Sequence, residues 1–172
     1  IIKIIQKITQ HVTICILNDH EEKTMWKIIN KNYLWKYLTE VENNVCYANA
    51  TERPYSSEFH DFDEAGIYVD ITNGEPLFLS INKYTSHCGW PSFTKPISED
   101  VIEYIDDDSH GMVRIEVRTK KSDIHLGHVF SDGPQESGWR RFCINWLTLD
   151  FIEYDLLDES GYNEFKKYFD VD

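Results

Sequence analysis

One stretch of the chain, from His125 to Asn145, holds most of the side chains that could carry out a reaction. Two histidines, an aspartate, two arginines, one cysteine and one asparagine fall within it. Alternate residues of a β-strand face the same side, so the end of this stretch is predicted to present a polar face with Arg141, Cys143 and Asn145. A thiol beside a guanidinium, with histidines available, is biased toward the nucleophilic thiolate. Cys143 is therefore predicted to be a reactive cysteine.

Two histidines in the same stretch are candidates for proton transfer. An imidazole changes charge near neutral pH, so His125 and His128 are predicted to act as acid and base. On a regular strand, residues three apart point to opposite faces. Gly127 between them permits a bulge, which would turn both rings toward Cys143. The remaining histidines that we considered are interpreted as loop or surface residues: His60, His87 and His110.

Length and charge limit the classes of function. A chain of 172 residues is long enough for one domain with its own core. The net charge of -13 repels phosphate backbones and anionic lipids, so we expect neither nucleic acid nor a membrane as a partner. Four cysteines without a CxxC pair indicate neither a disulfide framework nor a closed zinc site, and they favour a reducing, cytoplasmic location.

The spacing of apolar residues predicts a mainly β fold after a helical start. Between Met25 and Asn49 they recur at mostly helical intervals, and Thr39 with Glu42 has the pattern of a capping box. After Pro54, short segments rich in β-branched and aromatic residues alternate with turn residues. This sequence pattern predicts an antiparallel, all-β core.

Three other segments are interpreted from their composition. The acidic run at 106–109 is predicted to be a solvated loop without chemistry. The tail at 156–172 is predicted to be a short helix that Ser160 or Asp158 caps. Residues 1–37 form an N-terminal extension of uncertain role, whose beginning fits a helix and a strand equally well.

Six motifs, in order and with characteristic spacing, connect the chain to a known family. They are TERPYSSEF, GIYVD, EPLF, GWPSF, HLGHVFSDGP and GWRRFCIN, within a match from about Leu38 to Phe151. On these motifs the chain resembles the peptide-methionine (R)-S-oxide reductases, also called methionine sulfoxide reductase B. The resemblance implies a domain at 38–155 in which two small antiparallel sheets form a tent-like or barrel-like core, with N-terminal helices and a short C-terminal helix.

The resemblance implies roles for the candidate residues. The family's cysteine at the place of Cys143 attacks the sulfoxide sulfur and becomes a sulfenic acid. Cys88 would be the resolving thiol, which closes a disulfide that thioredoxin, or dithiothreitol in the test tube, reduces. Trp90 would form the wall that receives the substrate's terminal methyl group. Three further groups would orient water, histidine and thiolate: Asp132, Arg141 and Asn145. The implied substrate is methionine (R)-sulfoxide in oxidised proteins, and we expect a monomer.

The resemblance also bears on metal binding. Zinc-containing relatives carry two CxxC pairs, and where these would fall the chain has Asp70 with Asn73 and Thr119 with Ser122. These side chains are poor zinc ligands. We therefore expect the metal-free form, with no metal and no cofactor other than the external reductant.

Two departures from the family pattern predict local consequences. Ala50 stands where a glycine is common, and alanine resists a positive φ, so the turn is expected to carry some strain. Trp146 stands where a small residue is usual, and the strand alternation predicts that it points into the core.

Other interpretations stay open at this point. Trp90 also fits a core tryptophan, and Asp132 an ordinary SDGP turn. Cys143 with a histidine and Asn145 could instead form a cysteine hydrolase, which would not need a second thiol. The domain could also be a non-catalytic β-module that binds peptides through Trp90 and its neighbours.

Overall fold

The computed structural model describes residues 38–57 and 62–169, which form one α-helix, nine strands and several short 3₁₀ helices. Helix α1 spans Glu40–Ala48. The strands are β1 Gly66–Asp70, β2 Pro76–Leu79, β3 Lys83–Tyr84, β4 Ser92–Phe93, β5 Ile102–Asp107, β6 Arg114–Thr119, β7 His125–Phe130, β8 Arg141–Ile144 and β9 Leu149–Glu153. The extension predicted at 1–37 lies outside the described residues. Within the described ranges, α1 and the 3₁₀ helices are all too short or too polar to cross a bilayer.

Helix α1 begins at the capping box that the sequence predicts. The Thr39 hydroxyl accepts the backbone N–H of Glu42 at 3.3 Å, and the Glu42 carboxylate accepts the backbone N–H of Thr39 at 2.7 Å. The helix ends at Asn49, whose φ of 54° is left-handed. Asparagine tolerates this conformation and supplies the turn, so the strain predicted for Ala50 does not arise and that prediction is wrong.

The strands form two antiparallel sheets, which confirms the predicted fold class. One sheet has three strands in the order β2-β1-β9, and the other has six in the order β3-β4-β8-β7-β6-β5. The described strands do not close into a barrel. Both connections that shape the site are hairpins, β5 to β6 and β6 to β7, whereas β8 inserts between β4 and β7.

Aromatic side chains fill the space between the sheets. Phe78 from the small sheet stacks on Phe93 from the large sheet, with ring centroids 4.4 Å apart. Tyr68 meets the same Phe93 edge-on at 5.0 Å. Phe142 of β8 is fully buried and packs against Phe78. Burial of these rings helps to hold the sheets together, and burial of Phe142 fixes which face of β8 points away from solvent.

Strand β5 corrects the prediction for the acidic run at 106–109. Asp106 and Asp107 continue β5 and pair with Ile115 and Arg114 of β6. β5 is an edge strand that leaves most of its side chains in solvent, so charges suit it well. The prediction of a loop is wrong for the first half of the run.

Two predictions near the C-terminus are also corrected. β8 ends at Ile144 and a 3₁₀ helix follows at Trp146–Thr148, so the alternation stops and Trp146 stays partly exposed rather than entering the core. The tail forms a 3₁₀ helix at Asn163–Tyr168 with Tyr162 at its N-cap, and no side chain caps it. Tyr162 instead anchors the tail, because its hydroxyl donates to the Gly74 carbonyl at 2.8 Å.

A buried polar cluster joins the ends of β1 and β6. Asp70 is fully buried, and its carboxylate accepts the hydroxyl of Thr72 at 2.6 Å and the hydroxyl of Ser122. The hydroxyls of Ser122 and Thr119 lie 2.6 Å apart. Burial of a carboxylate costs free energy unless hydrogen-bond donors surround it. The stability of this cluster therefore depends on all of its hydroxyl groups together.

We predict that Ser122→Ala lowers the free energy of unfolding by about 1–3 kcal/mol, because it removes a donor from the buried Asp70 carboxylate. Urea titration followed by circular dichroism measures the change. Ser137→Ala is the matched control, since Ser137 is exposed, and it should stay within about 0.5 kcal/mol of wild type. Equal stability of the two variants would contradict the role given to the cluster.

Candidate active site

The position of β8 places three polar residues side by side. Cys143 lies directly opposite Ser92 on β4 and opposite His128 on β7. Opposite residues of an antiparallel pair project from the same face of a sheet. Phe142 and Ile144 are fully buried on the other face, while Cys143 stays partly exposed, so the predicted alternation along β8 is confirmed. The thiol thus lies between a hydroxyl and an imidazole.

A second thiol reaches the first. Cys88 lies in the loop between β3 and β4, and its Sγ is 3.5 Å from Cys143 Sγ. A disulfide requires about 2.0 Å, so a shift of about 1.5 Å closes the bond. Cys46 is fully buried in the core, and burial raises its pKa to about 12, which excludes it from this chemistry. Cys15 lies outside the described residues.

Within the pair of thiols, the surroundings stabilise a negative charge on Cys88 more than on Cys143. The hydrogen bond from Cys143 lowers the pKa of Cys88 to about 4; the hydroxyls of Ser86 and Ser92 contribute in the same direction against burial. The hydrogen bond to Cys88 raises the pKa of Cys143, as do burial and the charge on Cys88, whereas Arg141 opposes them. Either sulfur could donate the hydrogen bond between them, and these shifts favour Cys88 as the acceptor, so the expectation that Cys143 is itself the thiolate stays a prediction.

The bulge predicted at Gly127 is present in β7. Val117 of β6 pairs with Gly127 and Arg118 pairs with His125, which leaves one extra residue on β7. The φ of Gly127 is 154°, and a Cβ there would lie 2.1 Å from the Cys143 carbonyl oxygen. The bulge brings the rings of His125 and His128 to a centroid distance of 5.5 Å. The predicted bulge is therefore confirmed, whereas the orientation of both rings toward Cys143 stays a prediction.

A buried carboxylate orients His125. Nδ1 of this ring is 2.6 Å from Glu116 Oε1, and Arg118 donates to the same oxygen at 2.8 Å. The Nε2 atom of His125 is buried and has no hydrogen-bond partner among the described residues. Burial lowers the pKa of His125, while Glu116 opposes that shift. The role of Glu116 was not predicted from the sequence; its only signal is that it is the one acidic residue of β6, between Ile115 and Val117.

Asp107 has the same relation to His128. His128 Nε2 is 2.7 Å from Asp107 Oδ2, and Arg114 donates to that oxygen at 2.7 Å. Hydrogen bonds from Ser109 and His128 hold the pKa of Asp107 well below its usual range. Asp107 belongs to the acidic run that was interpreted as having no chemistry, so that interpretation missed a residue of the site.

Asp132 and Arg141 form a pair beside the thiols. Arg141 donates to both carboxylate oxygens of Asp132, at 2.8 and 2.9 Å, and its guanidinium lies 4.4 Å from the ring centre of Phe130. The hydrogen bond to Asp132 raises the pKa of Arg141 and so keeps it charged. Within the described ranges, the side-chain partner of Asp132 is Arg141, so the effect of Asp132 on the site is exerted through this arginine.

Asn145 and Trp90 both form hydrogen bonds with the backbone of Glu52. The Asn145 amide donates to the Leu126 carbonyl at 3.1 Å and accepts the Glu52 N–H at 3.2 Å. The Trp90 indole donates to the Glu52 carbonyl at 3.2 Å. Since these partners of Asn145 are backbone groups and not an imidazole, the Cys-His-Asn arrangement of a hydrolase is not assembled here.

A cavity of about 110 Å³ opens beside Cys143. Its lining includes four predicted site residues, Trp90, His128, Cys143 and Asn145. It also includes Thr51, Arg114, Gly127 and Phe130. Since sites for drug-sized ligands occupy about 300–1,000 Å³, this space suits the end of one side chain rather than a nucleotide or an organic cofactor. The aromatic wall from Trp90 and Phe130 suits an apolar, sulfur-bearing group.

Comparison with known families decides the class of this site. A family model described as the SelR domain matches residues 38–153. The match covers more than half of the chain and contains every residue of the candidate site. The chain belongs to the SelR family. This is the methionine-R-sulfoxide reductase domain, so the protein is an oxidoreductase that reduces methionine (R)-sulfoxide, and its substrates are proteins with oxidised methionine.

The donors of this reductase do not fit a metal ion. At the positions of the zinc ligands of some relatives, the Asp70 carboxylate, Thr119 and Ser122 are hydrogen-bonded to one another, and Asn73 accepts the N–H of Glu75 at 2.7 Å. The described ranges contain no group of three or more His, Cys, Asp or Glu side chains that could hold a metal ion. This donor set is consistent with the metal-free form, which stays a prediction.

We predict that iodoacetamide labels Cys88 before Cys143 and Cys46 in the reduced protein. Because the pKa of Cys88 is about 4, its labelling rate should already be at its plateau near pH 6, whereas the rate of an ordinary thiol still rises toward pH 9. Peptide mass spectrometry after timed labelling from pH 4 to 9 measures this. Cys46 is the internal control and should react only after unfolding. Earlier labelling of Cys143, with the low-pH plateau, would contradict the assignment of the charge.

Proposed function

We propose that the reductase works through a sulfenic acid on Cys143, which Cys88 resolves as a disulfide that thioredoxin then reduces. The observation that carries this proposal is the 3.5 Å distance between the two sulfurs at the cavity. The sulfurs are separated by 55 positions in sequence, and the fold brings them together where a small side chain can enter.

The first step transfers the sulfoxide oxygen to Cys143. Cys143 gives its proton to His128, which lies opposite it in the sheet, and the resulting thiolate attacks the electrophilic sulfur. His128 and His125, whose ring centres lie 5.5 Å apart, then act as the acids that protonate the developing charge on oxygen. The oxygen bonds to Cys143 Sγ as its bond to the substrate sulfur and the transient bond between the two sulfurs break, so methionine leaves and Cys143 becomes a sulfenic acid.

The second step regenerates the thiols. The Cys88 thiolate attacks Cys143 Sγ, a sulfur–sulfur bond forms, and the sulfenic oxygen leaves with a proton as water. A dithiol such as thioredoxin or dithiothreitol then reduces the disulfide by exchange and supplies the two electrons of the cycle.

We propose that no metal or organic cofactor takes part, since the thiols supply all the electrons that the reaction needs. We also propose a monomer, and the need for reduced thiols fits the cytoplasm.

We predict that wild type converts an (R)-sulfoxide peptide to methionine with dithiothreitol, and that Cys143→Ser loses this activity because a hydroxyl cannot replace the thiolate as nucleophile. Chiral chromatography of the peptide measures the product. Cys46→Ala is the matched control and should retain wild-type activity, since Cys46 lies in the core. The proposal is wrong if wild type forms no methionine, or if Cys143→Ser keeps its activity.

We also predict that Cys88→Ser forms one equivalent of methionine but does not turn over with thioredoxin, because the other thiol among the described residues, Cys46, is buried in the core. Intact mass after stoichiometric sulfoxide treatment should show a bond between Cys88 and Cys143 in wild type, and an oxidised Cys143 in the variant. Full thioredoxin-driven cycling by the variant would remove Cys88 from the mechanism.

A third prediction concerns proton transfer. Glu116→Gln should lower kcat by roughly 10-fold, the low end for a positioned acid or base, because the charge that supports protonated His125 is lost. Since burial lowers the pKa of His125 and Glu116 opposes it, the alkaline limb of the activity profile should move to lower pH. Glu159→Gln, at an exposed position, is the control. An unchanged pH profile in Glu116→Gln would contradict the role of this pair.

A further inference from the structure

Two serine hydroxyls surround the sulfur of Cys88, and the proposed function does not yet use them. Ser86 Oγ donates to Cys88 Sγ at 3.0 Å, and Ser92 Oγ lies 3.4 Å from the same sulfur. The two hydroxyls are 2.6 Å apart, so they form a triangle with Sγ. Cys143 Sγ, at 3.5 Å, is the fourth member of this cluster.

The triangle is built into the sheet and the loop. Ser92 is 1 % exposed on β4 and pairs with Tyr84 on one side and Cys143 on the other. Ser86 is held from the loop, since its oxygen accepts the backbone N–H of Cys88 at 3.4 Å. A buried hydroxyl costs free energy unless it is bonded, and alanine would fill the same space without that cost. The serines therefore call for a function beyond packing.

The number of donors identifies that function. A neutral thiol is a weak acceptor and a weak donor, so two hydroxyls gain little from it. The two serine oxygens lie 2.6 Å apart, so one hydroxyl donates to the other, and Ser92 can support Ser86 in this way. A thiolate at Cys88 then accepts the Ser86 hydroxyl and the Cys143 thiol as charge-assisted hydrogen bonds, which are about twice as strong as neutral ones. The arrangement around Cys88 thus matches the charged form of the sulfur, and the lowered pKa of Cys88 has these hydroxyls among its causes.

We propose that Ser86 and Ser92 are positioning residues for the resolving step, which hold the Cys88 sulfur beside Cys143 and stabilise its negative charge until the disulfide closes. This inference rests on the proposed function. In the step concerned, the Cys88 thiolate is oxidised as it forms the new sulfur–sulfur bond, the Cys143 sulfenic sulfur is reduced, and the oxygen departs as water after taking up a proton. The serines release their hydrogen bonds as the charge disappears.

Other charged or titratable groups around Cys88 enter the pH dependence as well. Cys143 and Arg141 face it from β8, Tyr84 from β3, and His87 adjoins it in the loop with an exposed side chain. The serines are distinguished from these groups because they do not titrate. Removing the two serines should therefore shift the pH at which Cys88 ionises, while the number of titrating groups stays the same.

The test is a single turnover with an (R)-sulfoxide peptide and no reductant, from pH 5 to 9. Methionine and the disulfide are quantified separately by rapid acid quench and mass spectrometry. In Ser86→Ala combined with Ser92→Ala, methionine formation should stay within about threefold of wild type. Disulfide formation should fall at least tenfold below pH 7 and recover toward pH 9. The single variant Ser86→Thr keeps the hydroxyl, so its pH profile of disulfide formation should equal that of wild type. Ser137→Ala is the control at an exposed serine.

The outcomes separate this inference from the proposed function. A loss of the same size at every pH, or a profile equal to wild type, overturns the role of the serines. In that case the proposed function still stands, provided that the wild-type protein forms both methionine and the disulfide. If wild type forms methionine without the bond between Cys88 and Cys143, the resolving step itself is wrong, and the inference falls with it. If the double variant does not fold, Ser86→Ala alone decides, because Ser86 is only partly buried and should show the same shift in smaller size.

Discussion

The insertion of β8 between β4 and β7 is the constraint on which the site depends. It aligns residues from three distant segments, Ser92, Cys143 and His128, in one row across the large sheet. The apolar side of β8 fixes the register, because Phe142 and Ile144 are buried against the small sheet and the core. A slip of one residue would move the thiol into the core and an aromatic ring into the cavity, so the packing that stabilises the fold also selects the reactive face.

The loop that carries Cys88 is held from the other side by the segment before β1. Gly89 has a φ of 93°, and a Cβ there would lie 2.6 Å from Pro54, so only glycine fits this close approach. Tyr55 donates its backbone N–H to the Gly89 carbonyl at 2.7 Å and its hydroxyl to the His87 carbonyl at 3.0 Å. This clamp fixes the loop on both sides of Cys88, which keeps the second sulfur within reach of the first.

Sequence patterns predicted what depends on local geometry. The alternation along β8, the bulge at Gly127 and the capping box at Thr39 each follow from a few adjacent residues, and each is present in the structure. The partners of the histidines were not predictable in this way. Asp107 and Glu116 reach the site only through the pairing of β5, β6 and β7, which no short window contains, and charge alone suggested solvent for the acidic run.

The ionisation of the thiols depends on tertiary contacts for a related reason. The sequence places Arg141 next to Cys143 on one face, and an isolated guanidinium would stabilise a thiolate there. In the folded chain Arg141 is already bonded to both oxygens of Asp132, which offsets its charge near the sulfur. The hydrogen-bond donors converge on Cys88 instead, from a strand and a loop that become neighbours only on folding. The pKa of a thiol in such a pair is a property of the whole arrangement, so it follows from the tertiary structure and not from the residues adjacent in sequence.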